Sequence, residues 1–401
     1  MPDYQNLINI CEEGNRISSI VIDDFLVYYA AHRDKPDREF EDRIERFRST
    51  VKKLPASWTR LVKAQYIAHR IFKKGGLIHK YLPREDLKTR DTVELNFLKQ
   101  ISATPWRFSF SEIRANPAPD FYEMEDVFSG ETYLLYSPGV SRTLLEHPVM
   151  LWFMMIAFNG SCWITYGPIT GFQSFGPDDI FFYATELNKS IESDEELMED
   201  VEKNPVPYMM LISGSTHPLF IQGNYEAILV KGEAPLAGFD FEALKSDFRI
   251  EFDSGIFKLS HKTLADYPHF AEAYIDEEGG TLHTNAMTEY GYQELVRCLR
   301  GHGQNVPEDP DIRLHLPMLN LIKDLLKKEM NLNPYSKLFE EKKSPESEGL
   351  MTKLNQVLAL ALPDINAGRK PDAEALAKKL DLDPETVNNM LEAVLNRIKK
   401  P

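Results

Sequence analysis

The longest apolar stretch of this 401-residue chain, 149–166, has about the length that a helix needs to cross a bilayer, roughly 18 residues. Its middle, however, reads Asn159-Gly160-Ser161. Asn-Gly between two apolar runs is typical of a type I′ hairpin turn, in which both central residues take positive φ. The stretch therefore predicts a buried β-hairpin rather than a membrane helix. Because neither arm has a polar face, its strands are expected to be covered on both sides.

Short apolar segments separated by turn signals surround this hairpin. Trp106, Phe108 and Phe110 alternate with polar residues, which predicts a half-buried strand. Further hairpins are predicted at 121–136 and 248–260, and further strands at 180–183, 208–212 and 227–230. With no long helical crossover between them, these strands predict a largely antiparallel sheet.

Two helices are predicted inside the β region. Ser193-Asp194-Glu195-Glu196 is a capping-box sequence before a helix over 197–203. The seven carboxylates between 192 and 202 lack the spacing and central glycine of a calcium loop, and therefore indicate a solvated acidic face. A β-β-α unit is predicted over 270–300, with its helix starting near Thr288.

Helical periodicity dominates the N-terminal part of the chain. It is clearest over 58–74, where Ser57 is the expected cap and Gly75-Gly76 the expected end. His69 lies on the apolar face of this helix, which is typical of a packed core histidine.

The C-terminal part is predicted to be helical again, over 316–330, 350–362, 372–380 and 385–399, with a charged linker at 340–349. Asp383 before Pro384 is a helix-start signal, so the last two helices are expected to form a helix-turn-helix-like pair.

The expected fold class is α+β, with an antiparallel β core between two helical regions. A chain of this length exceeds the usual size of one hydrophobic core. Three parts are predicted: a basic helical region, 1–100; an antiparallel β domain ending in the β-β-α unit, 101–305; and a C-terminal helical region, 306–401.

Charge is unevenly distributed along the chain. The net charge is −16, yet the window 43–90 holds fourteen Lys and Arg side chains against three carboxylates, a local net charge of +11. This asymmetry predicts either a bound polyanion or docking on the acidic remainder of the protein. The aromatic residues of the window face inward and offer no platform for bases, which favours docking. The residues expected to carry nucleic-acid binding are Arg60, Lys63, Arg70, Lys73 and Lys74.

The terminal helix pair is a second candidate for nucleic-acid binding, because Thr386, Asn388 and Asn389 are side chains that can face bases. Its charge is nearly balanced, with seven basic and six acidic side chains over 369–401. DNA-binding surfaces need several cationic contacts to phosphate, so packing or protein contact is the favoured interpretation.

Catalytic signatures are missing from the sequence. It contains no HExxH, GxSxG, phosphate-binding glycine loop or CxxC motif, and the chain is therefore expected not to be an enzyme. Ser213 lies near His217, but nothing supplies a third member of a triad. A hydrolase of unrecognised type is the alternative, and it requires carboxylates to converge around Asp126 and Asp178. The candidates are Glu123, Glu125, Asp126, Glu131, Asp178 and Asp179.

The number and spacing of the cysteines indicate the cellular compartment and whether a metal site is expected. Cys11, Cys162 and Cys298 are too few and too far apart in sequence for a disulfide framework or a zinc site, so no metal and no cofactor is expected. The first residues lack the basic and apolar segments of a secretory signal. These features predict a cytoplasmic protein.

The segment Asp126-Val-Phe-Ser129-Gly130-Glu131 resembles the D-x-x-S/T-G-E hairpin of uncharacterised bacterial proteins. In those proteins a β-β-α unit similar to 270–300 follows downstream, and some carry a zinc motif like that at the C-terminus of the SecA motor. The cysteines of that motif are absent from this sequence, so the resemblance implies no metal site. It also implies no particular activity.

The sequence thus predicts a non-enzymatic intracellular binding or scaffold protein whose partner, a protein, contacts the basic face or the terminal helices. The alternatives are a nucleic-acid-binding protein that uses 43–90 and the terminal pair, and the hydrolase. No membrane partner is expected, and an oligomer is compatible with the sequence.

Overall fold

The computed structural model describes residues 3–222, 224–264, 268–330, 332–339 and 369–398, with six further positions between 353 and 364. The chain divides into two compact units, Met1–Asn333 and Pro334–Pro401. The expected fold class is confirmed, because the structure is α+β with antiparallel sheets and with helices at both ends.

The N-terminal region is helical. Its helices are α1 (Tyr4–Ser18), α2 (Val27–Arg33), α3 (Pro36–Ile44), α4 (Arg48–Val51), α5 (Ala56–Phe72), α6 (Ile78–Tyr81), α7 (Glu85–Lys88) and α8 (Thr92–Ile101). A π-helical segment, Ser19–Leu26, joins α1 to α2 without a break, and a 3₁₀ turn, Glu45–Phe47, joins α3 to α4.

Helix α5 differs from the prediction at its start. It begins at Ala56 and Pro55 occupies the N-cap, so Ser57 is already inside the helix and does not cap it. The helix ends at Phe72, two residues before the predicted end, because Lys73 is extended; Gly75, whose φ of +68° suits glycine, lies in the turn that follows. His69 is fully buried, as its position on the apolar face predicts.

Six strands form the first sheet. They are β1 (Arg107–Ala118), β2 (Phe121–Asp126), β3 (Thr132–Tyr136), β4 (Leu151–Phe158), β5 (Trp163–Thr165) and β6 (Thr170–Phe172). The order is β1-β2-β3-β5-β4-β6, and β1 also pairs with β4. Five of the strands therefore close into a small barrel. All the pairings are antiparallel except that of β3 with β5.

The predicted Asn-Gly hairpin is present between β4 and β5, and almost every residue of β4 is buried. The turn is not of the predicted type. Only Gly160 takes positive φ, at +94°, while the Asn159 side chain accepts hydrogen bonds from the backbone N–H groups of Ser161 and Cys162, both at 2.9 Å. Asparagine makes this turn through its side chain rather than through a left-handed backbone.

Strand β1 is not half-buried, contrary to the prediction. Phe108 and Phe110 pack outward against the helices, and Ser109 and Ser111 on the opposite face are also fully buried, inside the barrel. The closed barrel covers the polar face, and hydrogen bonds compensate the burial of these hydroxyl groups.

Two predicted strands are helical in the structure. Residues 180–183 lie in α10 (Pro177–Leu187), where Pro177 at the first position and a hydrogen bond from the Gly176 N–H to the Asp179 carboxylate start a helix. Residues 208–212 lie in α12 (Pro205–Met209) and in the 3₁₀ turn that follows, Met210–Gly214. Both predictions failed because a short apolar run has no period that separates a buried strand from a buried helix.

Helices α9 (Pro138–Glu146) and α11 (Asp194–Lys203) also belong to this region. Ser193 caps α11 as predicted, but the return bond of the capping box goes to the Glu192 N–H rather than to that of Ser193. Ser193 Oγ accepts from the Glu196 N–H, and the Glu196 carboxylate accepts from the Glu192 N–H at 2.8 Å.

A second six-stranded sheet follows, entirely antiparallel, in the order β10-β11-β12-β13-β9-β14. Its strands are β9 (Ile228–Pro235), β10 (Phe248–Asp253), β11 (Ile256–His261), β12 (Ala271–Asp276), β13 (Thr281–Ala286) and β14 (Ile312–His315); a two-stranded ribbon, β7 (Ile221–Gln222) and β8 (Tyr225–Glu226), precedes it. The helices here are α13 (Phe241–Leu244), α14 (Glu289–Gly301) and α15 (Leu316–Leu326). The predicted β-β-α unit is confirmed as β12, β13 and α14, which Thr288 caps.

The second unit contains the helices Ala373–Leu380 and Pro384–Ile398, whose side chains Ala377 and Val387 share one buried cluster. Asp383 caps the second helix, because its carboxylate accepts from the Thr386 N–H at 2.8 Å. The predicted linker, 340–349, lies outside the described residues, and so does most of the helix expected over 350–362. Among the described helices, none has both the length and the hydropathy that crossing a bilayer requires.

Candidate functional site

A groove of about 650 Å³ lies between the end of α5, the start of β1 and helix α11. Its floor is partly apolar, with Phe108, Phe128 and Met198. Cavities of this size are typical of ligand sites when a few polar groups also converge on them. The charged residues along its sides are Lys73, Lys74, Arg107, Asp126, Glu131, Asp194, Glu195, Glu199, Glu202 and Lys203.

Arg107 is the central cation of the groove. Its guanidinium contacts the Asp126 carboxylate at 3.2 Å and the Glu131 carboxylate at 2.7 Å. It also lies over the ring of Trp163, 5.3 Å from the centroid. These three contacts hold the guanidinium group in place, so Arg107 offers a positive charge in a fixed position.

Asp126 is fully buried beneath Arg107. Besides the contact with Arg107, it accepts hydrogen bonds from Ser109 Oγ at 2.6 Å and from the backbone N–H groups of Phe128 and Ser129. Ser109 continues the network to Ser111, at 2.5 Å. This chain of polar groups fills the end of the barrel that faces the groove, and it satisfies a carboxylate whose burial would otherwise be costly.

Glu202, at the end of α11, connects the groove to α5. One carboxylate oxygen accepts from the Phe108 N–H at 2.8 Å and the other faces His69 Nε2 at 2.7 Å. Burial lowers the pKa of His69, so its imidazole is neutral and Nε2 donates to Glu202. Lys73 Nζ donates to the Glu202 carbonyl at 2.8 Å, and burial lowers the pKa of Lys73 as well.

We call Lys73, Lys74 and Arg107 the basic wall of the groove. Lys73 and Arg107 are held by the contacts above. Lys74 is exposed, and its ammonium group forms no hydrogen bond or ion pair with another residue that the structure describes. It is therefore the cation of this wall with the most freedom to contact a ligand.

The acidic wall, on α11, consists of Asp194, Glu195 and Glu199, which are exposed or partly exposed. Burial raises the pKa of Asp194, and the nearby carboxylates of Glu195, Asp126 and Asp178 raise it further. Crowding of like charges makes this wall a favourable place for a cationic group, because a cation relieves the repulsion.

A smaller hollow of about 380 Å³ adjoins the groove and shares Lys74, Arg107, Glu131 and Glu202 with it. Its lining adds Trp106, which is fully buried, and Trp163, which is half-buried. The two depressions together offer an aromatic and apolar base between charges of opposite sign.

The groove does not gather the five predicted nucleic-acid-binding residues. Only Lys73 and Lys74 line the groove. Lys63 pairs with Glu41 at 2.5 Å, Arg70 pairs with Glu39 at 3.3 Å, and Arg60 lines a separate cavity that also contains Asp23 and Asp24. Much of the charge of the basic window is thus directed at carboxylates of the same chain.

Two of the candidate carboxylates for a hydrolase, Glu125 and Asp179, are engaged with other partners. Asp126 and Glu131 share Arg107 in the groove, but Glu125 pairs with Arg114 at 2.7 Å, and that guanidinium lowers the pKa of Glu125. Asp179 is buried elsewhere, where it contacts His315 Nδ1 at 2.6 Å. The hydroxyl groups of Ser213 and Ser215 donate to the carbonyls of Met210 and Ile212, not to His217.

Hydrogen bonds hold two carboxylates of the groove in fixed positions. Its two most buried carboxylates, Asp126 and Glu202, each accept at least two hydrogen bonds from the protein and are held in place by them. Sequence reasoning missed Arg107, Trp163 and Met198, which come from strands and a helix that only the fold brings together. Arg107 could have been found from one signal in the sequence. It is a basic residue at the start of a strand, and the Asp-x-x-Ser-Gly-Glu turn supplies the two carboxylates that it contacts.

Comparison with protein-family models, with curated proteins and with solved structures gave no match for this chain.

Proposed function

We propose that this protein is a non-catalytic binding protein that holds a short segment of a protein partner in the groove. The observation that carries the proposal is that the basic wall, the acidic wall and apolar side chains line one groove. A peptide with a basic and an acidic residue flanking an apolar one matches all three features.

Net charge supports a peptide over a nucleic acid at this place. The lining contains four cationic and six anionic side chains, so a polyanion that approaches Lys74 also meets Asp194, Glu195 and Glu199. Affinity for nucleic acids requires several cationic contacts without such opposition. Arg107 and Lys73 are also already engaged with groups of the protein itself.

A cytoplasmic location remains our expectation for this function, on the basis of the cysteine content. The hydrolase alternative gains less support, since two of its six candidate carboxylates, Glu125 and Asp179, are engaged with Arg114 and His315 instead.

A displayed library of random dodecapeptides tests the proposal. The wild-type chain is expected to enrich peptides that carry both charges around an apolar residue. These peptides should bind at least about tenfold more weakly to the double variant Lys74→Glu, Glu195→Lys, because two favourable contacts become repulsive and about 1.4 kcal/mol already corresponds to tenfold.

The matched control is the double variant Lys52→Glu, Glu12→Lys, which makes the same two charge reversals at exposed positions outside the groove. It should bind the selected peptides as the wild type does. Enrichment of no peptide, or equal binding to the groove variant, contradicts the proposal. Retention of mixed-sequence RNA at low but not at higher salt, lost in the groove variant, would support nucleic-acid binding instead.

A further inference from the structure

Three side chains with metal-binding atoms meet at the end of α14, and none of them lines the groove. Cys298 lies in the last turn of α14 and His302 caps it, so their spacing of four residues places both on one face of the helix. Asp247 comes from a different segment, immediately before β10.

The donor atoms of these residues are close enough to share one ion. Asp247 Oδ, Cys298 Sγ and a His302 ring nitrogen all lie within 4.8 Å of one another. Asp247 Oδ2 and His302 Nε2 are 2.9 Å apart. A tetrahedral zinc ion with bonds of about 2.0–2.3 Å holds its donors roughly 3.3–3.6 Å apart. Small side-chain adjustments are therefore sufficient to admit the ion.

We propose that Asp247, Cys298 and His302 bind a divalent transition metal ion of the zinc class. A thiolate, an imidazole and a carboxylate form a mixed set of soft and borderline donors that suits zinc or cobalt and does not suit magnesium or calcium, which prefer oxygen atoms alone. The His302 and Asp247 side chains are 17% and 46% exposed, so an ion can enter from solvent.

Neighbouring residues orient this site. Ser246 Oγ donates to Asp247 Oδ2 at 2.6 Å, which fixes one carboxylate oxygen, as outer contacts do in metal sites. His261, at the end of β11, lies within electrostatic range of Asp247. Its Nδ1 accepts from the Thr263 N–H at 3.3 Å, which places the proton of a neutral imidazole on Nε2, so His261 is not counted among the ligands.

The alternative is that Asp247 and His302 form only an ion pair. Cobalt distinguishes the two, because Co²⁺ bound to a thiolate in a tetrahedral site absorbs strongly by charge transfer. The purified full chain, titrated with CoCl₂, is expected to develop this absorption up to one equivalent and to lose it when ZnCl₂ is added. The variants Cys298→Ser and His302→Gln should each abolish the charge-transfer band or weaken cobalt binding at least about tenfold.

The control is the double variant Cys11→Ala, Cys162→Ala, which removes the other two thiols and should keep the full absorption. A second readout is thermal: one equivalent of zinc should raise the Tm of the wild type and leave that of His302→Gln unchanged. No absorption at equimolar cobalt, or a band that persists in Cys298→Ser, overturns the proposal. The proposal is also overturned if the band disappears in the control variant but persists in the Cys298 and His302 variants, because the ion then lies at Cys11 and Cys162.

Discussion

The sulfur atom of Cys11, in α1, lies 3.5 Å from that of Cys162, in the turn between β4 and β5, although 151 residues separate them in sequence. Both side chains are 1% exposed, and the Asn159 amide donates to Cys11 Sγ at 3.2 Å. The hydrogen bond from Cys162 lowers the pKa of the Cys11 thiol. Two thiols that the sequence separates widely are thus neighbours, and the pKa of one of them is lowered by the other.

Mild oxidation is expected to join these two cysteines. A disulfide needs a separation of about 2.05 Å, which a change of side-chain rotamer can approach from 3.5 Å. In the chain-entropy model, closing so long a loop stabilises a protein by up to about 5 kcal/mol, less any strain. Peptide mapping after treatment with oxidised glutathione should show Cys11 linked to Cys162, with Cys298 free. A link formed only after unfolding in urea would contradict the expectation.

His315 should make the stability of the first unit depend on pH. Its ring lies between Asp179, at 2.6 Å, and Glu226, at 2.9 Å. Burial opposes protonation, but the hydrogen bonds and charges of the two carboxylates outweigh it and raise the pKa of His315. The stabilisation is therefore complete below the unfolded-state pKa of histidine, about 6.5, and is lost as the pH rises through the higher folded-state pKa.

Urea unfolding of wild type and His315→Gln between about pH 5.5 and pH 9 tests this dependence. The difference in the free energy of unfolding should be largest at the acidic end and should shrink with rising pH. His79→Gln, at an exposed position, should show no such trend. A difference independent of pH would mean that His315 remains neutral in the folded protein.

Arg107→Met should lower the free energy of unfolding by about 2–4 kcal/mol, because it leaves the buried Asp126 without its cationic partner. The comparison is Arg114→Met, which removes a similar guanidinium from the more exposed Glu125 and should cost less than about 1 kcal/mol. Urea denaturation measures both. Equal costs would show that the polar network inside the barrel does not depend on Arg107.

Gly167→Ala should destabilise the protein by about 2–4 kcal/mol. Its φ is +75°, and an added Cβ would lie 2.8 Å from the Cβ of Gln65, whose amide donates to the carbonyls of Tyr166 and Pro168. Gly255→Ala is the control, because Gly255 also has positive φ, at +82°, but faces open space. Its cost should be about 1 kcal/mol. If both variants lose a similar free energy of unfolding, the effect comes from backbone conformation alone.

Local signals in the sequence predicted local structure well. The capping residues Ser193 and Asp383, the hairpin at Asn159-Gly160 and the antiparallel β-β-α unit are present as expected, although the turn of that hairpin is of another type. Each depends on a few consecutive residues whose hydrogen bonds or turn preferences act over less than two turns of helix. The short apolar runs 180–183 and 208–212 were assigned wrongly because they contain no such local signal.

What the sequence by itself determined about this protein is its class of fold and the ends of many of its elements, because period, caps and turns are properties of neighbouring residues. Only the tertiary structure decided which distant side chains meet. It closed a barrel over Ser109 and Ser111 and placed Lys74 and Glu195 in the lining of one groove. It also brought Cys11 to Cys162 and Cys298 to Asp247. Such meetings depend on how helices and sheets pack, and packing depends on the shape of the whole core rather than on any stretch of sequence.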